Sequence, residues 1–162
     1  MLVVDDEDTV RKSCARTLAG MGLSVETAND AAAAWSLLNE REYDCVLTDI
    51  SMPGAMNGTA LTEEVRSRFP STDMLIMTGD PQLASAVSTL KRGALDYLIK
   101  PFGATLLEAA VTRCFERRRL SGELNKETNL RRELEAAYAE LQKPERAKDA
   151  CIPVLNRELR TP

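Results

Sequence analysis

Four short apolar runs in this chain each end in a charged or hydroxyl side chain. Asp5 and Asp6 follow Leu2-Val3-Val4, Asp49 follows Cys45-Val46-Leu47-Thr48, Thr78 follows Met74-Leu75-Ile76-Met77, and Lys100 follows Leu95 to Ile99. If the runs are parallel strands of one open sheet, their carboxyl ends form the ligand crevice and these groups meet there. Three carboxylates in one place repel unless a cation joins them, and a hard, oxygen-rich pocket suits Mg²⁺, which commonly binds through one or two carboxylates plus a phosphate. A hydroxyl and an ammonium are the groups that the oxygens of a phosphoryl group in transfer require. Taken alone, Asp49 reads either as a nucleophile or metal ligand, or as a turn or helix-capping aspartate.

The elements that must position these groups alternate. Leu2–Val4 is a buried strand, and Thr9 to Gly20 places Val10, Cys14, Thr17 and Leu18 on one helical face, with Gly20 and Gly22 as the stop. Leu23 to Thr27 alternates as a strand, and Asn29 or Asp30 caps a helix through Ala31–Leu38. After the Asp49 strand, Pro53 bars further regular structure, a Gly-containing loop leads to a helix at Thr59–Phe69, and Pro70 ends it. A helix from Pro81 through Lys91 separates the last two strands, and another begins at about Ala104. Five alternations with short connections imply a three-layer α/β sandwich around a parallel sheet.

The 162 residues suffice for one ordinary domain and an extension. Residues 1–103 carry 9 basic and 15 acidic side chains, and residues 104–162 carry 12 and 10, so the two parts differ in character. A net charge of −4 gives no reason to expect nucleic acid as a partner, and the cluster Arg113, Arg117, Arg118 and Arg119 reads as a solvated helix flank. Cys14, Cys45, Cys114 and Cys151 have no C-x-x-C spacing, which argues against structural zinc and for buried thiols in a reducing compartment. With no basic leader and no stretch near the ~18 apolar residues of a membrane span, a cytoplasmic location without membrane contact is expected.

Val3-Val4-Asp5-Asp6-Glu7, Asp49-x-x-Met52-Pro53, Thr78-Gly79 and Tyr97-Leu98-Ile99-Lys100-Pro101-Phe102 resemble, in order and separation, four signature stretches of the response-regulator receiver family of two-component signalling. The resemblance covers residues 1 to about 118 and implies a flavodoxin-like sandwich whose five-stranded sheet has the order 2-1-3-4-5. It implies that Asp49 accepts a phosphoryl group from a phosphohistidine on a sensor histidine kinase or phosphotransfer protein. Asp6 and Asp49 would bind Mg²⁺ directly, with Asp5 through water and the Ser51 backbone carbonyl as a further ligand. Lys100 would pair with the phosphorylated carboxylate, and Thr78 would move its hydroxyl onto the phosphoryl oxygens, drawing Tyr97 inward as the readout. Plainer roles exist for each: a surface lysine, a helix-capping threonine, a half-buried strand tyrosine. One departure stands out, since Gly58 lies nine residues after Asp49 where the family usually has eight.

Two other classes fit parts of the sequence. Asp6-Glu7-Asp8-Thr9-Val10 resembles the D-x-D-x-[T/V] signature of haloacid-dehalogenase-like phosphohydrolases, with Asp6 as nucleophile and Asp8 as acid/base. A pseudo-receiver that is never phosphorylated and serves as a dimeric scaffold is the other.

Beyond residue 118 the helical pattern continues. Leu120, Leu124, Leu130, Leu134, Ala137 and Leu141 recur mostly at three- and four-residue steps, which reads as a coiled-coil seam joining a homodimer or as a long solvated helix. The step from Leu124 to Leu130 is irregular, Gly122 weakens the helix, and Pro144 is expected to kink or end it. The segment from Ala147-Lys148-Asp149 to Leu159-Arg160-Thr161-Pro162 is similar to the phosphoacceptor region, or H-box, of sensor kinases, with Arg157 in the histidine's place. A guanidinium has no free lone pair to attack phosphorus, and the chain has no histidine, so no kinase activity is expected of it. Pro153 should disturb a continuous helix there by roughly 3 kcal/mol. The expected organisation is thus a receiver at 1–118, a helical linker at 119–143 and a degenerate tail at 144–162.

Overall fold

The computed structural model describes residues 1–82 and 94–158, with side chains throughout except at 94–95 and 145–158. The helix expected through Lys91 falls mostly at 83–93, outside the described residues, as does the end of the tail at 159–162. The chain divides into two units, Met1–Glu116 and Arg117–Pro162.

In the first unit, β1 (Leu2–Val4), β2 (Glu26–Ala28), β3 (Cys45–Asp49), β4 (Asp73–Thr78) and β5 (Ala94–Ile99) form one parallel sheet in the order β2-β1-β3-β4-β5. Parallel neighbours require crossovers, and helices on both faces supply them. Both faces are therefore buried, and the period-two alternation of each strand divides its side chains between two cores. Leu2, Val4, Val46 and Met74 point to the side covered by α2 (Ala31–Glu40) and α3 (Gly58–Arg68). Val3, Cys45, Leu47, Leu75 and Met77 point to the side covered by α1 (Asp8–Gly20) and the first turns of α4 (Ala104–Glu158), where Leu107, Ala110, Val111 and Cys114 are buried. On the first side Trp35 meets the Phe69 ring edge-on at 5.9 Å, and the Arg68 guanidinium stands 5.2 Å from the Trp35 ring centre. Cys14, Cys45 and Cys114 are free and buried.

Asp30, rather than Asn29, caps α2 by accepting from the Ala33 N–H at 2.7 Å, and Asn57 caps α3 through Ala60 at 2.9 Å. The second strand is a correction: it runs over Glu26–Ala28, not Leu23–Thr27. Its register opens with Leu2↔Glu26; ahead of it the Leu23 N–H bonds back to the Leu18 carbonyl at 3.3 Å and closes α1, while Met1 bonds to the Ser24 carbonyl and accepts from the Glu26 N–H.

The second unit continues α4, which is assigned as helix to Glu158. The stop expected at Pro144 is absent, and the helix also passes residue 153. A proline there forfeits one intrahelical bond, but residue 144 is exposed, so the carbonyl it frees can bond to water. Leu120, Leu124, Leu130, Leu134 and Leu141 are all more than half exposed.

Candidate functional site

The register explains why residues distant in sequence share one rim. Val4 pairs with Thr48, so Asp5 and Asp49 each lie one step past the same rung; Thr78 pairs with Ile99, and Lys100 follows at the same edge. The ladder extends past the strand ends through Asp5 N–H to Ala28 (3.2 Å), Ile50 N–H to Met77 (3.0 Å) and Lys100 N–H to Thr78 (2.7 Å). These bonds fix the backbone from which each functional side chain starts.

Lys100 donates from Nζ to Asp5 Oδ2 at 2.7 Å and to Asp49 Oδ2 at 2.6 Å, with Glu7 Oε1 farther off at 3.7 Å. The other oxygens are also engaged: Asp5 Oδ1 accepts from the Glu7 N–H at 2.9 Å and Asp49 Oδ1 from the Ser51 N–H at 2.8 Å. Asp5 is wholly buried, Asp49 nearly so, and Asp6 exposed; one oxygen of each lies within 4.8 Å of the others. Burial pushes the Asp5 carboxyl above its ordinary value of 3.8, although its bonds to Lys100 and the Glu7 amide oppose the shift. Burial also presses on the Lys100 ammonium, but the two carboxylates outweigh it and raise its pKa above 10.5. A buried acid under strain to stay neutral, beside two more carboxylates that outnumber the single ammonium, is a donor set that fits a hard divalent cation.

Not every expected residue joins this cluster. Thr78 is buried at the end of β4, but its hydroxyl is engaged with the Asp80 backbone, donating to the carbonyl at 3.3 Å and accepting from the N–H at 3.0 Å. Tyr97 is 38% exposed. Ser51 touches Asp49 through its amide. Asp8 turns outward to Arg11 and Lys12, and chiefly the Lys12 bond holds its carboxyl below the ordinary range, the wrong direction for a proton donor at neutral pH. A cavity beside Lys100 is walled by Val10, Cys14 and Phe102; burial raises the Cys14 thiol to about 11, so it is a wall and not a nucleophile.

The sequence reading gave Gly58 only a place in a loop count. A Cβ there would stand 2.7 Å from Ile50 Cα and 2.8 Å from the Asp49 carbonyl carbon, so only glycine lets the first turn of α3 rest on the backbone that carries Asp49. Its position at the head of a helix, soon after a strand-end acid, was the available signal.

Parallel strands whose ends gather two buried acids, an exposed acid and a lysine define a class, and comparison with known proteins agrees. Residues 1–112 match the response regulator receiver domain, and the chain belongs to that family. It is 40% identical over 114 residues to the DNA-binding transcriptional regulator NtrC of Escherichia coli (strain K12), a match covering 68% of this chain and 24% of that protein. With the transcriptional regulatory protein FixJ of Azorhizobium caulinodans it shares 34% over 150 residues, 93% of this chain and 69% of FixJ. The crystal structure of the receiver domain of NtrX from Brucella abortus superposes with a TM-score of 0.66 at 35% identity, covering 71% of this chain and 97% of that one. The chain thus spans about a quarter of the length of the NtrC it matches. Among the described residues, no helix is long and apolar enough to cross a membrane.

Proposed function

We propose that the chain is a phosphoacceptor switch in which Asp49 takes a phosphoryl group from a phosphohistidine on a sensor kinase or phosphotransfer protein. The observation that carries this reading is the bridge of Lys100 between Asp5 and Asp49 at 2.7 and 2.6 Å. An Asp49 oxygen forms the new bond to phosphorus while the donor's P–N bond breaks and the nitrogen keeps the electron pair. The Ser51 amide and the Lys100 ammonium hold the carboxylate oriented for that attack. Lys100 then stays with the acyl phosphate, its charge offsetting that of the phosphoryl oxygens. Asp6, Asp49 and the Ser51 carbonyl, with Asp5 through water, would hold Mg²⁺, which would supply further neutralisation of the carboxylates and of the incoming phosphate. Thr78 exchanges its bonds to Asp80 for the phosphoryl oxygens, and Tyr97 follows inward.

The same reading divides the chain into a receiver (1–118), a linker (119–143) that pairs with a second copy through Leu120, Leu124, Leu130, Leu134 and Leu141, and a tail (144–162) derived from a kinase phosphoacceptor segment. Phosphorylation biases how the linker helices pair. Beryllofluoride, a phosphoryl mimic, should change the dimerisation constant in sedimentation, and an unchanged constant counts against the relay.

Incubation with acetyl phosphate and Mg²⁺ should add the mass of one phosphoryl group to the intact wild type and none to Asp49→Asn. A wild type that gains no mass favours the scaffold reading, and a gain that persists in Asp49→Asn moves the acceptor elsewhere.

A further inference from the structure

The Asp6 carboxylate stands where a cation needs it, although nothing holds it directly. Among the described residues it makes no hydrogen bond or ion pair, and the residue is exposed, yet it lies within 4.8 Å of carboxylate oxygens of Asp5 and Asp49. Its place must come from the backbone on either side. The peptide before Asp6 contains the Asp5 carbonyl, which accepts from Arg11 Nη1 at 2.8 Å. The peptide after it contains the Glu7 N–H, which donates to Asp5 Oδ1 at 2.9 Å. Peptide units are planar, so pinning one on each side of a residue restricts its φ and ψ.

Arg11 is built into this turn. Its Nη2 donates to Asp8 Oδ1 at 2.6 Å, its backbone N–H bonds to the Glu7 carbonyl at 3.0 Å, and its side chain is only 15% exposed. Glu7, at the N-cap of α1, makes no side-chain cap, so Arg11 is the side chain of α1 that ties this turn to the helix. A guanidinium presents its donors in a rigid planar fork, whereas an ammonium is a point charge on a flexible stem.

We infer that Arg11 is a positioning residue of the cation site: by holding the Asp5 carbonyl it sets the Asp5–Asp6 peptide, and with it the reach of the Asp6 carboxylate toward a divalent cation. This rests on the metal reading proposed above. Two effects of Arg11 have opposite signs. Its charge repels a cation, and its grip holds a ligand for one. Losing a group that orients metal ligands typically weakens binding by about 10- to 100-fold, while the three carboxylates gathered at the site outweigh the repulsion of one guanidinium, so the grip dominates.

Binding of Mn²⁺, which shares the preference for hard oxygen ligands, can be followed by the electron paramagnetic resonance of the free ion, with no phosphorylation needed. The full chain should be compared as wild type, Arg11→Ala, Arg11→Lys and Asp8→Asn, with folding checked by circular dichroism. Arg11→Ala should bind at least about tenfold more weakly. Arg11→Lys keeps the charge but loses the fork and should fall between that variant and the wild type; Asp8→Asn leaves the Asp5 carbonyl bonded and should stay near the wild type. Equal or tighter binding by folded Arg11→Ala overturns the inference, since a purely structural arginine would lower only the melting temperature and a purely electrostatic one would weaken binding when present. Should Arg11→Ala not fold, Arg11→Lys decides in the same way, wild-type affinity being the overturning result. A wild type that binds no Mn²⁺ overturns the metal reading, and this inference with it.

Discussion

Lys100 lies 2.7 Å from Asp5, and Lys143 lies 2.7 Å from Glu140, yet the two pairs have little else in common. The first joins a side chain 14% exposed to one wholly buried; the second joins two that are each 71% exposed. At equal distance, the surroundings decide the energy. Lys143 and Glu140 interact through water and ions that screen them, and such pairs are worth about 0.2–1 kcal/mol. Lys100 and its acids have given up much of their hydration, so removing the ammonium costs its acids more than the same loss at the surface. The contrast separates a unit whose polar groups are locked from a helix whose charges keep it dissolved.

The largest test of that contrast touches no charge. Gly58→Ala drives a methyl group into the Asp49–Ile50 backbone, which cannot step aside as a side chain would, and should cost about 3 kcal/mol in urea denaturation. Lys100→Met comes next. It leaves Asp5 and Asp49 buried without their cation and should lower metal-free stability by about 2–3 kcal/mol, less than a fully trapped charge because Asp5 can take up a proton.

Asp5→Asn sharpens the comparison with a change of sign. The folded state holds the Asp5 proton more tightly than the unfolded chain does, so this group favours folding most below pH 3.8 and loses that contribution as pH rises through its raised value. At pH 7 the neutral amide should therefore stabilise the metal-free protein by about 1 kcal/mol while weakening cation binding. Denaturation between pH 4 and 8 should show a pH slope in the wild type that Asp5→Asn reduces. Lys100 contributes no slope there: its stabilisation is complete below 10.5 and is lost only as pH climbs through its raised value. Smallest of all, Lys143→Gln and Leu134→Asp should leave the stability of the first unit within about 0.5 kcal/mol of wild type. Leu134→Asp should nevertheless abolish any concentration-dependent association seen in sedimentation.

The sheet and its rim were legible because four of the five strands are short apolar runs closed by a polar residue, and parallel strands put such ends on one edge. Residues 23–25 show where that legibility stops: their alternation is real, but the Leu23 N–H closes α1 through the Leu18 carbonyl, a main-chain bond that no local pattern encodes. Pro144 failed as a stop because propensity prices one lost bond, not whether solvent can replace it. Gly58 and Arg11 were missed for a shared reason. Each acts on backbone atoms of a different segment, Gly58 on Asp49 and Arg11 on Asp5, and main-chain atoms carry no signature in the sequence. The locked hydroxyl of Thr78 is likewise a matter of the Asp80 backbone.

The single tryptophan has a practical corollary. Trp35 is flanked by Phe69 and Arg68, so emission excited selectively at tryptophan, apart from Tyr43, Tyr97 and Tyr138, observes the seam between α2 and α3. An emission-detected melt therefore measures the sandwich alone, and fraying of the long helix must be sought with an optical signal that counts peptide bonds, such as far-ultraviolet dichroism.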